Sequence, residues 1–182
     1  DWEMAMYADN TLTPKEATRL CALGMLAGAD MTYASLAAGV RYFVTHVMGP
    51  SLEVMGTSIE LLKHEGLVTT VAGSGDDSIL SITDEGRAEF KTLLTANIKA
   101  AENDLNKLVI ALKFRFMDDL NAEDRHAQVD LLVHAVDNEL ARLEELRAHH
   151  ADEGGHLIDW LDRELEDLES RRAWLNSKRD QL

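Results

Sequence analysis

Among 182 residues there are one cysteine, two prolines and three tryptophans, and aromatics make up 5%. The single Cys21 excludes an intramolecular disulfide and fits a reducing compartment. Within an apolar helical run it reads as a small buried hydrophobe rather than a nucleophile. So few prolines, with 46% hydrophobic residues, exclude a largely disordered chain and allow a packed core. The longest apolar stretch, Leu20 to Ala29, is too short to cross a bilayer and contains two glycines. The start, DWEMAMYADN, lacks the basic region of a signal peptide, so the expected location is the cytoplasm. A chain that begins with Asp rather than Met is expected to have lost a few leading residues.

Positive charge is also scarce, the net charge being −15. Residues 1–95 carry 6 lysines and arginines against 13 acidic residues, and residues 96–182 carry 12 against 20. Neither half supplies the bulk cationic charge that displaces condensed counterions from a duplex, although a net charge can hide a local patch.

A catalytic constellation is missing too. Gly73-Ser74-Gly75 is not followed by a helix, so it is no phosphate loop, and there is no Gly-x-Ser-x-Gly elbow or nucleophile with a nearby base. An enzyme is not expected, nor a cofactor. His149-His150-Ala151-Asp152-Glu153-Gly154-Gly155-His156 holds metal-ligand residue types, but neighbouring helical histidines point about 100° apart and the spacing matches no structural zinc pattern. It reads as a solvated helix end with no metal. His126, Asp130 and His134 read as an exposed, salt-linked face, and capping accounts for Asp118-Asp119 and Glu123-Asp124.

What the chain does have is helical periodicity. Thr13-Pro14-Lys15-Glu16 is a capping box with proline at the first helical position, and the helix runs to about Ala29. A second helix, about 33–48, carries Leu36, Val40, Phe43, Val44 and Val47, and Gly49-Pro50 stops it. Ser51 caps a third, about 52–65, with Leu52, Met55, Ile59 and Leu62 as its buried stripe and Gly66 closing it. Residues 68–82 are the one β-hairpin signal, Val68-Thr69-Thr70-Val71 leading in and Ile79, Leu80 and Ile82 leading out. Thr83 starts a further helix. Three short helices followed by a two-stranded ribbon make a winged helix-turn-helix, with the hairpin as the wing.

The remainder is helical. Phe90, Leu94, Ile98, Ala101, Leu105, Leu108 and Leu112 form one stripe. A helix unbroken from 84 to 117 would span roughly 50 Å and bridge two lobes. Two later helices, separated by Gly154-Gly155, have narrow apolar seams and charged flanks, which suits antiparallel pairing within or between chains. A dimer is favoured over a monomeric three-helix bundle, with Val129, Val136, Leu140, Leu143, Trp160, Leu161, Leu165, Leu168, Trp174 and Leu175 as its interface. The aromatics Tyr42, Phe43, Phe114, Phe116, Trp160 and Trp174 read as packing residues before they read as an effector pocket. The expected fold is mainly α, a winged helix-turn-helix over 13–95 followed by a long-helix dimerisation domain over 96–182.

Residues 18–90 resemble the DNA-binding domain of PadR-type transcriptional regulators. Tyr33 sits where that family has a Gly-Tyr, ELLKHEGLV (60–68) resembles the end of its recognition helix, and SITDEGR (81–87) resembles the segment leaving its wing. The helical tail is similar to that of AphA-like and other virulence-activator members. The resemblance implies a homodimeric regulator of double-stranded DNA that reads the major groove with helix 52–65 and lays the wing 68–82 along the backbone or minor groove. It implies Ser51, Thr57 and Lys63 as phosphate or base contacts, Glu53 as an acceptor from cytosine N4, and Lys15, Arg19, Arg41 and His46 as phosphate contacts.

Two departures stand out. Gly56 occupies a position where the family has tyrosine, and Asp76-Asp77-Ser78 stands where its wing tip carries Arg or Lys. Three readings follow: a dimeric DNA-binding regulator of weak intrinsic affinity, a drifted protein-interaction module, or a sensor of a small aromatic effector. None involves a membrane.

Overall fold

The computed structural model describes residues 12–49, 59–96 and 104–182. The chain divides into two compact units, residues 1–100 and 101–182.

The first unit opens with helix α1, Pro14–Gly28, held by the expected capping box. Thr13 Oγ1 accepts from Glu16 N at 3.2 Å, and Glu16 Oε1 accepts from Thr13 N at 3.1 Å. Its inner face buries Ala22, Leu23 and Leu26, and also Thr18, whose hydroxyl donates to Pro14 O at 2.9 Å and so meets no desolvation penalty. Strand β1, Met31–Thr32, follows, and Thr32 caps helix α2, Tyr33–Met48, by accepting from Ser35 N. Leu36, Val40 and Val44 are buried along α2, and Gly49 ends it at φ +84°.

Helix α3 spans Ile59–His64 with Ile59 and Leu62 buried, matching half of the expected stripe. Leu52 and Met55 fall outside the described residues. Gly66, at φ +78°, turns the chain into strand β2, Val68–Ala72, which pairs antiparallel with strand β3, Ile79–Ile82. Helix α4, Asp84–Leu94, follows the wing. Its cap Thr83 accepts from Gly86 N at 3.0 Å and donates to Gly66 O at 2.7 Å.

The hairpin is not alone. Residues Met31 and Thr32, which lie between the two expected helices, pair with Leu80 and Ile79 to give a three-stranded sheet in the order β1-β3-β2. One core therefore holds the helices and the sheet together, with Leu23, Leu26, Leu36, Leu62, Val68 and Leu80 at its centre. Burial pushes the Cys21 thiol up to about 11, which keeps it protonated and unreactive at neutral pH.

The helix expected from 84 to 117 does not run through. Ala96 N donates to Leu93 O, a tight i−3 bond that closes the last turn of α4, and Thr95 Oγ1 donates back to Lys91 O at 2.8 Å. Residues 97–103 lie outside the described part.

The second unit comprises helix α5, Asp104–Arg115, a 3-10 turn at Met117–Asp119, helix α6, Ala122–His149, and helix α7, His156–Asp180. Helices α6 and α7 pack along their lengths and are antiparallel, as their cross-links show. Asp130 meets Arg179, Asp137 meets Arg172, and Asp162 meets Arg147. Between these pairs lies a seam of Val129, Val136, Leu140, Leu143 and Leu146 from α6, and Leu161, Leu168 and Leu175 from α7. Helix α5 joins through Lys113 Nζ, which donates to Gln128 Oε1 at 2.5 Å, and through Phe114, whose ring meets Trp174 edge-on at 5.4 Å. Among the described residues no helix is long and apolar enough to cross a membrane.

Candidate functional site

The surface implied by the resemblance belongs to the first unit. Lys15 on α1 and Arg41 on α2 are exposed. Arg19 is not free in the same way, because its guanidinium donates to both carboxylate oxygens of Glu65, at 2.6 and 3.0 Å. His46 stacks on Tyr42, ring centroids 4.0 Å apart, and its Nδ1 lies 2.7 Å from Tyr42 O. A carbonyl only accepts, so Nδ1 carries the proton in that bond. Lys63 lies within 3.5 Å of Glu60 Oε1, one turn back on α3. Ser51, Glu53, Gly56 and Thr57 fall outside the described residues.

Between α3 and the wing lies an open cleft of about 440 Å3, lined by Tyr33, Glu60, Lys63, Thr70, Asp76, Ser78 and the backbone of Gly73–Gly75. Its wing side is firmly built. Gly73 and Gly75 take positive φ, and a side chain at Gly73 would meet Asp77 O at 2.9 Å. Asp76 and Asp77 sit in the 3-10 turn Gly75–Asp77. Buried Ser78 fixes that turn, its hydroxyl donating to Gly75 O at 2.7 Å while its own carbonyl accepts from Tyr33 N at 2.9 Å. The wing tip is thereby tied to the start of α2. Of the implied contact residues that the structure describes, Lys63 lines this cleft. Thr70 and Ser74 carried no sequence signal, because only the fold brings them opposite α3.

In the second unit, Val129, Val136, Leu140, Leu143, Leu161, Leu168 and Leu175 are buried within one chain, against the α6–α7 seam, and Leu165 is half-buried. The large apolar side chains left at the surface include Leu131, Trp160 and Trp174, the last two 45% and 54% exposed. His150 caps α6 and its Nδ1 lies 2.8 Å from Glu153 Oε2. Asp130, expected on a salt-linked face, is paired with Arg179.

Comparison with known proteins matches this architecture over nearly the whole chain. Residues 7–178 match the family described as "Putative AphA-like transcriptional regulator". No curated protein matches the chain significantly. A PadR-like transcriptional regulator from Bacillus cereus superposes with a TM-score of 0.65 at 16% identity, covering 90% of this chain and 94% of that one. Bacillus subtilis PadR is similar both in complex with operator DNA (TM-score 0.60, 17% identity, 91% and 97% covered) and in complex with p-coumaric acid (0.63, 16%, 90% and 96%). The Vibrio cholerae virulence activator AphA gives 0.61 at 17% identity, covering 90% and 96%. At such identities the superpositions show a shared winged-helix fold with a helical C-terminal region. The family match extends over more than half of the sequence, and the chain belongs to the AphA-like family of transcriptional regulators.

Proposed function

We propose that the chain is a dimeric transcriptional regulator that binds double-stranded DNA through α3 and the wing, with weak intrinsic affinity. The observation that carries this reading is the trihelical body with a wing pinned against the start of α2, leaving Lys63 on the cleft between wing and α3. Family membership supports it, as does the likeness to a PadR solved with operator DNA. The weak affinity follows from charge. Lys63 and Arg19 both lie beside glutamates, and the wing from Val68 to Ile82 has no Lys or Arg. A specific binder makes ~6–10 phosphate contacts.

The proposed domains are a DNA-binding unit over 13–95 and a dimerisation unit over 96–182. With the α6–α7 seam filled within the chain, the dimer surface falls to side chains left outside it, Trp160 and Trp174 foremost. This is a binding protein rather than an enzyme, and its place of action is the cytoplasm, with the DNA. A second reading, a small aromatic effector, is favoured by the likeness to PadR with p-coumaric acid and by the Phe114–Trp174 pair on the second unit.

The test is an anisotropy titration of the full chain against the duplex upstream of its own gene at low salt. Saturable binding that weakens as salt rises supports the reading, and its absence contradicts it. A thermal-shift series with p-coumaric acid tests the effector, since a ligand that prefers the folded dimer raises its melting point.

A further inference from the structure

The described residues lining the cleft between α3 and the wing carry more negative than positive charge. Among its described lining residues Lys63 is the one Lys or Arg, and Glu60 and Asp76 line it with Lys63. Glu60 Oε1 lies 3.5 Å from Lys63 Nζ, so the cation already has a carboxylate beside it on its own helix. Asp76 enters from the wing, in the 3-10 turn that buried Ser78 anchors to Gly75 O and to Tyr33 N. Its place is therefore built into the fold. At physiological salt the screening length is about 8 Å, so carboxylates in this cleft act on any phosphate that enters it.

We propose that Glu60 and Asp76 are specificity-determining residues: flanking Lys63, they suppress attraction to duplex phosphates in general, so that stable binding depends on base contacts. The inference rests on the DNA-binding reading above. Sequence-independent affinity is almost wholly phosphate electrostatics, so two carboxylates at the groove strike that component first. In a matching site Glu60 accepts a hydrogen bond from cytosine N4, which offsets its repulsion; elsewhere it finds only phosphate. Discrimination by a repulsive element raises the ratio between right and wrong partners without tightening the right one.

The experiment compares three full-length proteins: the wild type, the E60Q/D76N double variant, and a control, E144Q/D152N, which removes the same charge from exposed positions in the second unit. Each is titrated by anisotropy with a random-sequence duplex and with the duplex upstream of its own gene, near physiological salt. For E60Q/D76N the affinity for random duplex is expected to rise about tenfold and that for the upstream duplex less, narrowing the ratio, while the control moves either by less than about twofold. The single variant D76N, whose side chain lies outside the core, is expected to give part of the same shift. Equal gains on both duplexes, equal gains in the control, or no gain on random duplex overturn the proposal. In each of these cases a wild type that still prefers its upstream duplex leaves the regulator reading standing. If none of the proteins binds either duplex, both fall.

Discussion

Arg19 on α1 and Glu65, just beyond α3, form a bidentate ion pair with N–O distances of 2.6 and 3.0 Å. The pair ties the first helix to the end of α3, and the guanidinium cannot serve a phosphate with the same donors while it holds Glu65. E65Q is expected to cost no more than about 1 kcal/mol, because both side chains are partly exposed. It is also expected to raise low-salt affinity for duplex DNA. Urea unfolding and an anisotropy titration check the two effects. A large stability loss without any gain in binding would make the pair purely structural.

Gly86 shows why the segment SITDEGR carries a glycine. A Cβ there would lie 2.1 Å from Leu67 O and 2.7 Å from Ile82 Cγ1, where the backbone joining α3 to β2 passes over α4. G86A is expected to destabilise the protein by about 2 kcal/mol or more, since backbone rather than a flexible side chain must move. At Gly28 a Cβ meets nothing within 4 Å, and G28A is expected to be neutral or stabilising by about 0.5 kcal/mol. Thermal melts of both variants decide this.

Leu161 is completely buried in the α6–α7 seam, whereas neighbouring Trp160 is 45% exposed. L161A is expected to cost about 3 kcal/mol through lost packing and a residual cavity, lowering helicity and melting temperature. W160A is expected to leave helicity unchanged and to lower the mass seen by light scattering at micromolar concentration. Unaltered mass in W160A removes that side chain from the proposed dimer surface.

The ladder along α6 and α7 has a pH signature. The Arg179 guanidinium hydrogen-bonded to Asp130, and that of Arg147 bonded to Asp162, hold these carboxyls below their ordinary range. The folded state thus binds fewer protons than the unfolded state. The resulting stability is present above the unfolded aspartate value of about 4 and is lost as pH falls through the folded values. Both groups are exposed, so the effect is small and screened by salt. In D130N/D162N the melting-temperature deficit against wild type is expected to shrink as pH falls from about 5 to about 3. A deficit independent of pH contradicts the ladder.

Much of this was legible in the sequence because it is local. The Thr13–Glu16 capping box, the stops at Gly49 and Gly66 and the stripe position Leu62 follow from periodicity and cap chemistry, and each stands as read. What was missed depends on contacts distant in sequence. Met31–Thr32 is too short to show a β period, and only pairing with Ile79 and Leu80 makes it a strand. The apolar stripe from Phe90 to Leu112 continues in helical phase past Leu94, so periodicity could not register the stop made by Thr95 and Ala96. Seam residues read as an interface between chains fill a seam within one, since a heptad pattern specifies a helix partner but not whose helix it is. The cleft required the fold, because nothing in the sequence brings Asp76 opposite Glu60.

The most direct measurement is a titration of the full chain with the duplex upstream of its own gene, at about 50 and about 200 mM salt, with K63A alongside. The expected result is saturation at two chains per duplex, affinity that falls steeply between the two salt concentrations, and a further loss in K63A. Absence of binding at the lower salt, or binding indifferent to both salt and Lys63, would contradict a DNA-binding role for α3 and the wing.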